Sequence, residues 1–196
     1  MSRNGHVDLD FGGALRRFRL AIGDLESLQE ATGLGPLDLL HRLHRGRAFR
    51  FGDVRTCLRL ALVGGGAGLT EADAVVAPLD RMPCLEAIAT ATLVLAAALE
   101  GAADEPVGRA VEDGEHGPDR ADGRIAFAGF YAAAAAMGLA PAALRAMSLW
   151  QFAAYADGFN RARDPAAPAP PTPAEEDALW SWLQGEPAAP ATENPA

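Results

Sequence analysis

Val7, Leu9 and Phe11 alternate with Asp8 and Asp10, and beyond Gly12 and Gly13 the residues Phe18, Leu20 and Ile22 alternate with Arg17, Arg19 and Ala21. A period of two on both sides of a glycine pair predicts a β-hairpin. From residue 24 onward the apolar spacing lengthens to three and four, which predicts helices. Asp24 suits an N-cap, Leu25 and Leu28 an inner face, and Gly33 a stop. Pro36 opens a second helix with Leu37, Leu40 and Leu43 on one face. Asp53 is expected to cap a third, through Val54, Leu58 and Leu62, that the run Gly64, Gly65, Gly66 ends. Thr70, with Asp73 three residues on, reads as a capping box for a short fourth. The fifth and longest, residues 83–99, places Leu85, Ile88, Thr92, Leu95 and Leu99 at helical spacing, while alanine fills most of its other positions. It has no polar face, so it either runs through the centre of its domain or covers something hydrophobic on a partner.

The pattern then breaks. Residues 101–124 are rich in Gly, Pro, Asp and Glu and almost lack large apolar side chains, the signature of a flexible acidic linker. Helical spacing resumes in residues 125–163, with Phe127, Phe130, Tyr131, Ala134 and Met137, a stop at Gly138, a restart at Pro141, and a last helix carrying Trp150, Phe152, Tyr155 and Phe159. A unit of about 40 residues is at the size where a lone core is marginal. Residues 164–173 are Pro-rich and predict an extended tether. Leu179, Trp180 and Leu183 then fall on one side of a short amphipathic helix, residues 174–185, followed by a disordered tail, residues 186–196. The fold class expected is mainly α, with α+β character in the N-terminal domain: a β-hairpin and about five helices over residues 1–100, then a small helical module joined by flexible linkers.

Composition narrows the chemistry. Hydrophobic residues make up 49% of the 196 and charged residues 22%, enough for a packed core. The net charge is −9, and it is uneven: residues 1–100 carry 11 Arg against 12 Asp and Glu, residues 101–196 carry 6 against 14. Such a balance argues against a general nucleic-acid binder. All 17 basic residues are arginines, so a lysine-dependent phosphate loop, a Schiff-base enzyme and a pyridoxal-phosphate enzyme are excluded. Cys57 and Cys84 are too few for a disulfide scaffold or a cysteine-built zinc site. His41 and His44 share a helix face without a third ligand beside them, and the glycines at 64–66 follow a helix where a phosphate loop follows a strand. Six arginines between positions 42 and 59, interleaved with Phe49 and Phe51, form the one basic segment, read as a salt-bridging or protein-docking face. No serine sits in a nucleophile elbow. The expectation is a non-enzyme with no cofactor, no metal, no membrane span and no export signal, working in the cytoplasm.

Two resemblances extend this reading. The hairpin VDLDFGGALRRFRLAI, the helices DLESLQEATGL, PLDLLHRL and FRFGDVRTCLRLAL, and the ending LEAIATATLVLAAAL resemble the gene-transfer-agent tail protein family over residues of about 5–100. Residues 125–163 resemble the separate family of small phage tail assembly chaperones, through Gly138, Leu139, Pro141, Met147, Ser148, Trp150, Phe152, Gly158, Phe159 and Asn160. The resemblance implies a fusion of two tail-morphogenesis modules with no catalytic residues. It implies a tail assembly chaperone in a bacterial host cytoplasm, with the tape-measure protein and the tail-tube protein as partners. A structural minor tail or tube-associated component is the alternative, and self-association is left open. Candidate partner-binding residues are Leu95, Leu99, Trp150, Phe152, Phe159, Leu179, Trp180 and Leu183.

Overall fold

Gly12 and Gly13, with φ of 60° and 79°, make the tight two-residue turn between β1 (His6–Phe11) and β2 (Ala14–Arg19). The structure is a computed structural model that describes residues 2–81, 84–102 and 123–163, with the side chains of residues 80, 81 and 84 outside that set. The strands pair antiparallel with Val7 opposite Phe18, Leu9 opposite Arg16 and Phe11 opposite Ala14. Val7, Leu9, Phe11 and Phe18 therefore share the face that meets the core, where Phe11 and Phe18 pack edge to face with centroids 5.8 Å apart. On the other face Arg17 donates to Asp8 at 2.8 Å across the strands.

Five helices follow: α1 (Ile22–Thr32), α2 (Pro36–His44), α3 (Phe51–Gly64), α4 (Leu69–Val76) and, after a 3-10 turn at Ala77–Arg81, α5 (Cys84–Glu100). The starts of α1 and α3 differ from expectation in register. Asp24 and Asp53 are not N-caps but third helical residues, and each carboxylate reaches back to accept the backbone N–H of Ala21 or Arg50 at 2.9 Å. That bond turns the chain out of β2 early, so Ile22 opens a helix where alternation had placed it in a strand. Nor do Thr70 and Asp73 form a capping box; α4 begins after Gly68 with no side-chain cap, and Asp73 instead pairs with Arg59 of α3. In α2 the inner residues are Pro36, Leu39 and Leu43, with Leu37 turned outward.

α5 lies at the centre, against α2, α3 and β1. Its inward face is Ala87, Thr90, Ala91, Val94, Leu95, Ala97 and Ala98, mostly alanine, which lets neighbouring backbones come close. The glycines that end α3 have a similar use. A methyl group on Gly65 would lie 2.1 Å from the carbonyl oxygen of Arg17, and one on Gly64 would lie 2.3 Å from that of Arg19. Here α3 touches the backbone of β2 directly, so these glycines are a packing surface as well as a helix stop.

The second block consists of α6 (Phe127–Ala136), α7 (Pro141–Ala146) and α8 (Leu149–Arg163). Sequence reasoning treats it as a separate tethered module, yet its described residues up to Ala162 belong to the same compact unit, Met1–Ala162, as the hairpin and α1–α5. The contacts are specific. The carboxamide of Gln29 on α1 accepts from the backbone N–H of Ile125 at 2.8 Å and donates to its carbonyl at 3.1 Å, as a neighbouring strand would. The N–H of Ile22 donates to the carbonyl of Met147 at 2.8 Å, and Arg19 to that of Ala146 at 2.6 Å. Glu26 receives the hydroxyl of Tyr131 and pairs with Arg145, tying α1 to α6 and α7. A unit of three short helices buries too little by itself, and α1 supplies the surface it lacks. The expected linker outside 101–102 and 123–124, and the tether, amphipathic helix and tail after 163, lie outside the described residues.

Candidate interaction surface

An α-helix turns 100° per residue, so positions 85, 89 and 93 stand on one side and positions 87, 91, 94 and 98 on another. In α5 both sides are apolar. The hairpin, α2 and α3 cover the second of them and leave the first uncovered. Leu85 is 76% exposed, Leu93 51%, and Ala89 between them is exposed as well. The three span about 12 Å along the helix at 1.5 Å per residue. Glu86 flanks the stripe and accepts the N–H of Gly12 at 3.4 Å, which fixes the hairpin turn beside the start of α5. Two exposed leucines at i and i+8 with an exposed alanine between them make a short apolar stripe on the solvent side of the helix.

Of the residues singled out from sequence, Leu95 is fully buried and belongs to the core of α5, so it cannot itself meet a partner while the chain is folded. Leu99 is half-buried at the end of the same helix. Phe152 is buried, its ring 5.0 Å from that of Phe130 on α6, and it anchors α8. Trp150 is half-buried beside Gly101, with the guanidinium of Arg3 5.8 Å from its ring centroid. It pins the N-terminal segment to the second block, helped by Ser148, which donates to the carbonyl of Arg3 at 2.7 Å. Phe159 is half-exposed and has a contact of its own. Leu179, Trp180 and Leu183 lie outside the described residues. Leu85 and Leu93 are thus the solvent-facing leucines of α5 that sequence reasoning did not single out: the spacing showed an all-apolar helix but not which side the core would take.

A shallow depression of about 430 Å³ lies between the start of α1 and α7, with Arg19, Asp24 and Arg145 on its walls. All three already have structural work. Arg19 donates to the carbonyls of Asn4 and Ala146, Arg145 pairs with Glu26, and Asp24 takes the N–H of Ala21. Burial pushes the Asp24 carboxyl above the usual carboxylate range, against the pull of that hydrogen bond and the two arginines. The Cys57 thiol, fully buried in α3, is pushed up to about 12 by the same cause and is inert as a nucleophile. Among the described residues no three His, Cys, Asp or Glu side chains gather as metal ligands, and no helix is long and apolar enough to cross a membrane.

No curated protein and no solved structure matches the chain significantly. One family does match, over residues 4–101, and its span takes in the hairpin, α1–α5 and the exposed stripe of α5 while leaving α6–α8 outside. On that match the chain belongs to the family described as "Phage tail tube protein, GTA-gp10".

Proposed function

We propose that the chain is a phage-like tail assembly chaperone, of a gene transfer agent or prophage, that shields apolar helices of the tape-measure protein and recruits tail-tube subunits around it in the host cytoplasm. The observation that carries this reading is the uncovered apolar stripe of α5, in which Leu85 and Leu93 face solvent on an otherwise central helix. A stripe about 12 Å long with an acidic residue at its edge suits one or two turns of an apolar helix, held weakly and exchangeably rather than locked. The resemblance of residues 125–163 to small tail assembly chaperones supports the same role for α6–α8. No catalytic step is part of the proposal; binding alone does the work.

The second reading, a minor tail or tube-associated component that stays in the particle, is favoured by the family description itself, which names a tail tube protein. Quantitative mass spectrometry of purified particles separates the two. A chaperone is depleted at least about tenfold per particle relative to the tube subunit, whereas a structural component is present at fixed stoichiometry.

A further inference from the structure

Among the described residues, one of the hairpin's two backbone edges is covered and the other is open. With Gly12 and Gly13 as a two-residue turn, Phe11 and Ala14 exchange backbone hydrogen bonds, and so do Leu9 with Arg16 and Val7 with Phe18. The N–H and C=O groups of Asp8 and Asp10 in β1, and of Leu15, Arg17 and Arg19 in β2, then point away from the hairpin. On β2 the outward carbonyls of Arg17 and Arg19 meet Gly65 and Gly64 of α3, where a Cβ atom would stand 2.1 and 2.3 Å away. On β1 side chains close the two ends. Asn4 Oδ1 accepts the N–H of His6 at 3.1 Å, and Glu86 accepts that of Gly12 at 3.4 Å. Between these ends the backbone groups of Asp8 and Asp10 have no partner among the described residues, and both residues are exposed.

The side chains along this edge alternate in character. Val7 and Leu9 are half-buried and lie on the core face with Phe11. Asp8 and Asp10 stand on the solvent face. Arg17 pairs with Asp8 at 2.8 Å, whereas the Asp10 carboxylate has no ion pair or hydrogen bond with the described residues and stands opposite Leu15, itself 70% exposed. A row of unpaired N–H and C=O groups is a template for another strand, and the side chains beside it decide which strand fits. Here that is an apolar side chain next to Val7 and Leu9 and a cationic one next to Asp10.

We infer that the open edge of β1 takes up, as a third strand, an extended segment of a partner protein in which apolar and basic residues alternate. Charge separates this occupant from the others. A second copy that paired β1 with β1 antiparallel would set Asp8 opposite Asp10 twice over, and like charges directly opposite destabilise a strand pair. The arginine-bearing strand of that copy, β2, has its own edge against α3. The parts of this chain outside the described residues are acidic as well: residues 103–122 carry seven Asp and Glu against two Arg, and residues 164–196 carry six against none. A partner strand with Arg or Lys at every second position instead meets Asp10 with the opposite charge. Its backbone supplies the affinity and its alternation the specificity. A window of two outward-facing residues makes the contact short and exchangeable. The inference rests on the hairpin alone, so it holds whatever the stripe of α5 binds and whether or not the chain remains in the particle.

Amide hydrogen exchange of the full chain, read by NMR with and without an eight-residue peptide of alternating Val and Arg, tests it. In the free chain the amides of Asp8 and Asp10 exchange at least about tenfold faster than those of Val7 and Leu9, and saturating peptide slows them at least about tenfold. Asp10→Pro removes an outward N–H and no hairpin bond, so it weakens the peptide at least about tenfold while the melting temperature stays within a few degrees. Asp10→Lys keeps the backbone, reverses the charge and weakens the peptide at least about fivefold. The same peptide N-methylated at its arginines keeps its charge but loses the N–H groups that would face β1, and binds at least about tenfold more weakly. A Val–Arg peptide that does not bind overturns the inference, as does one that binds both Asp10 variants like wild type. Equal binding of the N-methylated peptide overturns it in favour of charge attraction without strand addition. Asp8 and Asp10 amides already slow in the dilute free chain overturn it in favour of an intramolecular occupant, and slowing that follows protein concentration overturns it in favour of a second copy.

Discussion

Leu93 and Leu95 are two residues apart on α5 and have opposite environments, 51% and 0% exposed. Truncating each to alanine therefore tests the assignment of the helix faces with one chemistry. Leu95→Ala empties space among α2, α3 and β1, where fully buried leucines cost about 2–5 kcal/mol because the transfer term adds to a cavity that closes only in part. Leu93→Ala loses only the buried half of a side chain worth about 2 kcal/mol in full burial, about 1 kcal/mol, and regains a little through alanine's helix propensity. For a chain of this size each kcal/mol moves the melting temperature by about 2–4 °C. Leu95→Ala should then melt roughly 4–20 °C lower, and Leu93→Ala no more than about 4 °C lower. Urea titration followed by far-ultraviolet circular dichroism and tryptophan emission measures both, with an unchanged slope confirming that the same surface unfolds. Equal losses, or a larger loss at Leu93, would refute the placement of α5 and with it the exposed stripe.

Gly65→Ala should destabilise the chain by about 1–3 kcal/mol, against the gain of about 1 kcal/mol that alanine brings to an unconstrained helix, because the added methyl meets the Arg17 carbonyl 2.1 Å away; a raised melting temperature contradicts the close approach of α3 and β2. Cys57, its thiol pushed up to about 12 by burial, should resist alkylation in the native state and react only in denaturant, so prompt native labelling of Cys57, read by peptide mass spectrometry, would show that α3 is not packed as described. For Asp24, burial raises the carboxyl in the folded state above its ordinary value of 3.8, so the folded chain binds that proton more tightly than the unfolded one. Its contribution is most favourable below the unfolded value and is lost as pH rises through the folded value. Relative to Asp24→Asn, wild type should lose stability with rising pH across that window in urea titrations, and a wild-type curve that instead rises relative to the variant there contradicts the burial.

The parts of the fold fixed by local chemistry could be read from the sequence. The hairpin register follows from alternation around Gly12 and Gly13, and the starts of α2 and α7 from Pro36 and Pro141, since proline presets φ and needs no donor there. Capping was harder to place. A carboxylate at the third helical residue reaches back as well as one at the cap, so Asp24 and Asp53 signal a helix start without fixing its first residue. Asp73 had a local role on offer and took a tertiary partner, Arg59, which no window of neighbouring residues contains. The inner faces of α2 and α5 depend on which elements arrive to cover them. In α5 leucine and alanine alternate around the whole circumference, so periodicity cannot choose between Leu93 and Leu95. The docking of the second block was hidden for a related reason: the side chain that mimics a strand for Ile125 is Gln29, nearly one hundred positions earlier.

The central claim is that the stripe of α5 holds an apolar segment of the tape-measure protein. Its most direct test is co-expression of the chain with the tape-measure protein of the same tail gene cluster, followed by measurement of the tape-measure fraction that stays soluble and co-purifies. The account predicts a soluble complex with the wild-type chain, and loss of at least about tenfold of it with the double variant Leu85→Ser, Leu93→Ser, whose two side chains are largely solvent-facing and whose melting temperature stays within a few degrees of wild type. Tape-measure protein that is equally insoluble with and without the chain, or equally soluble with the folded double variant, contradicts it.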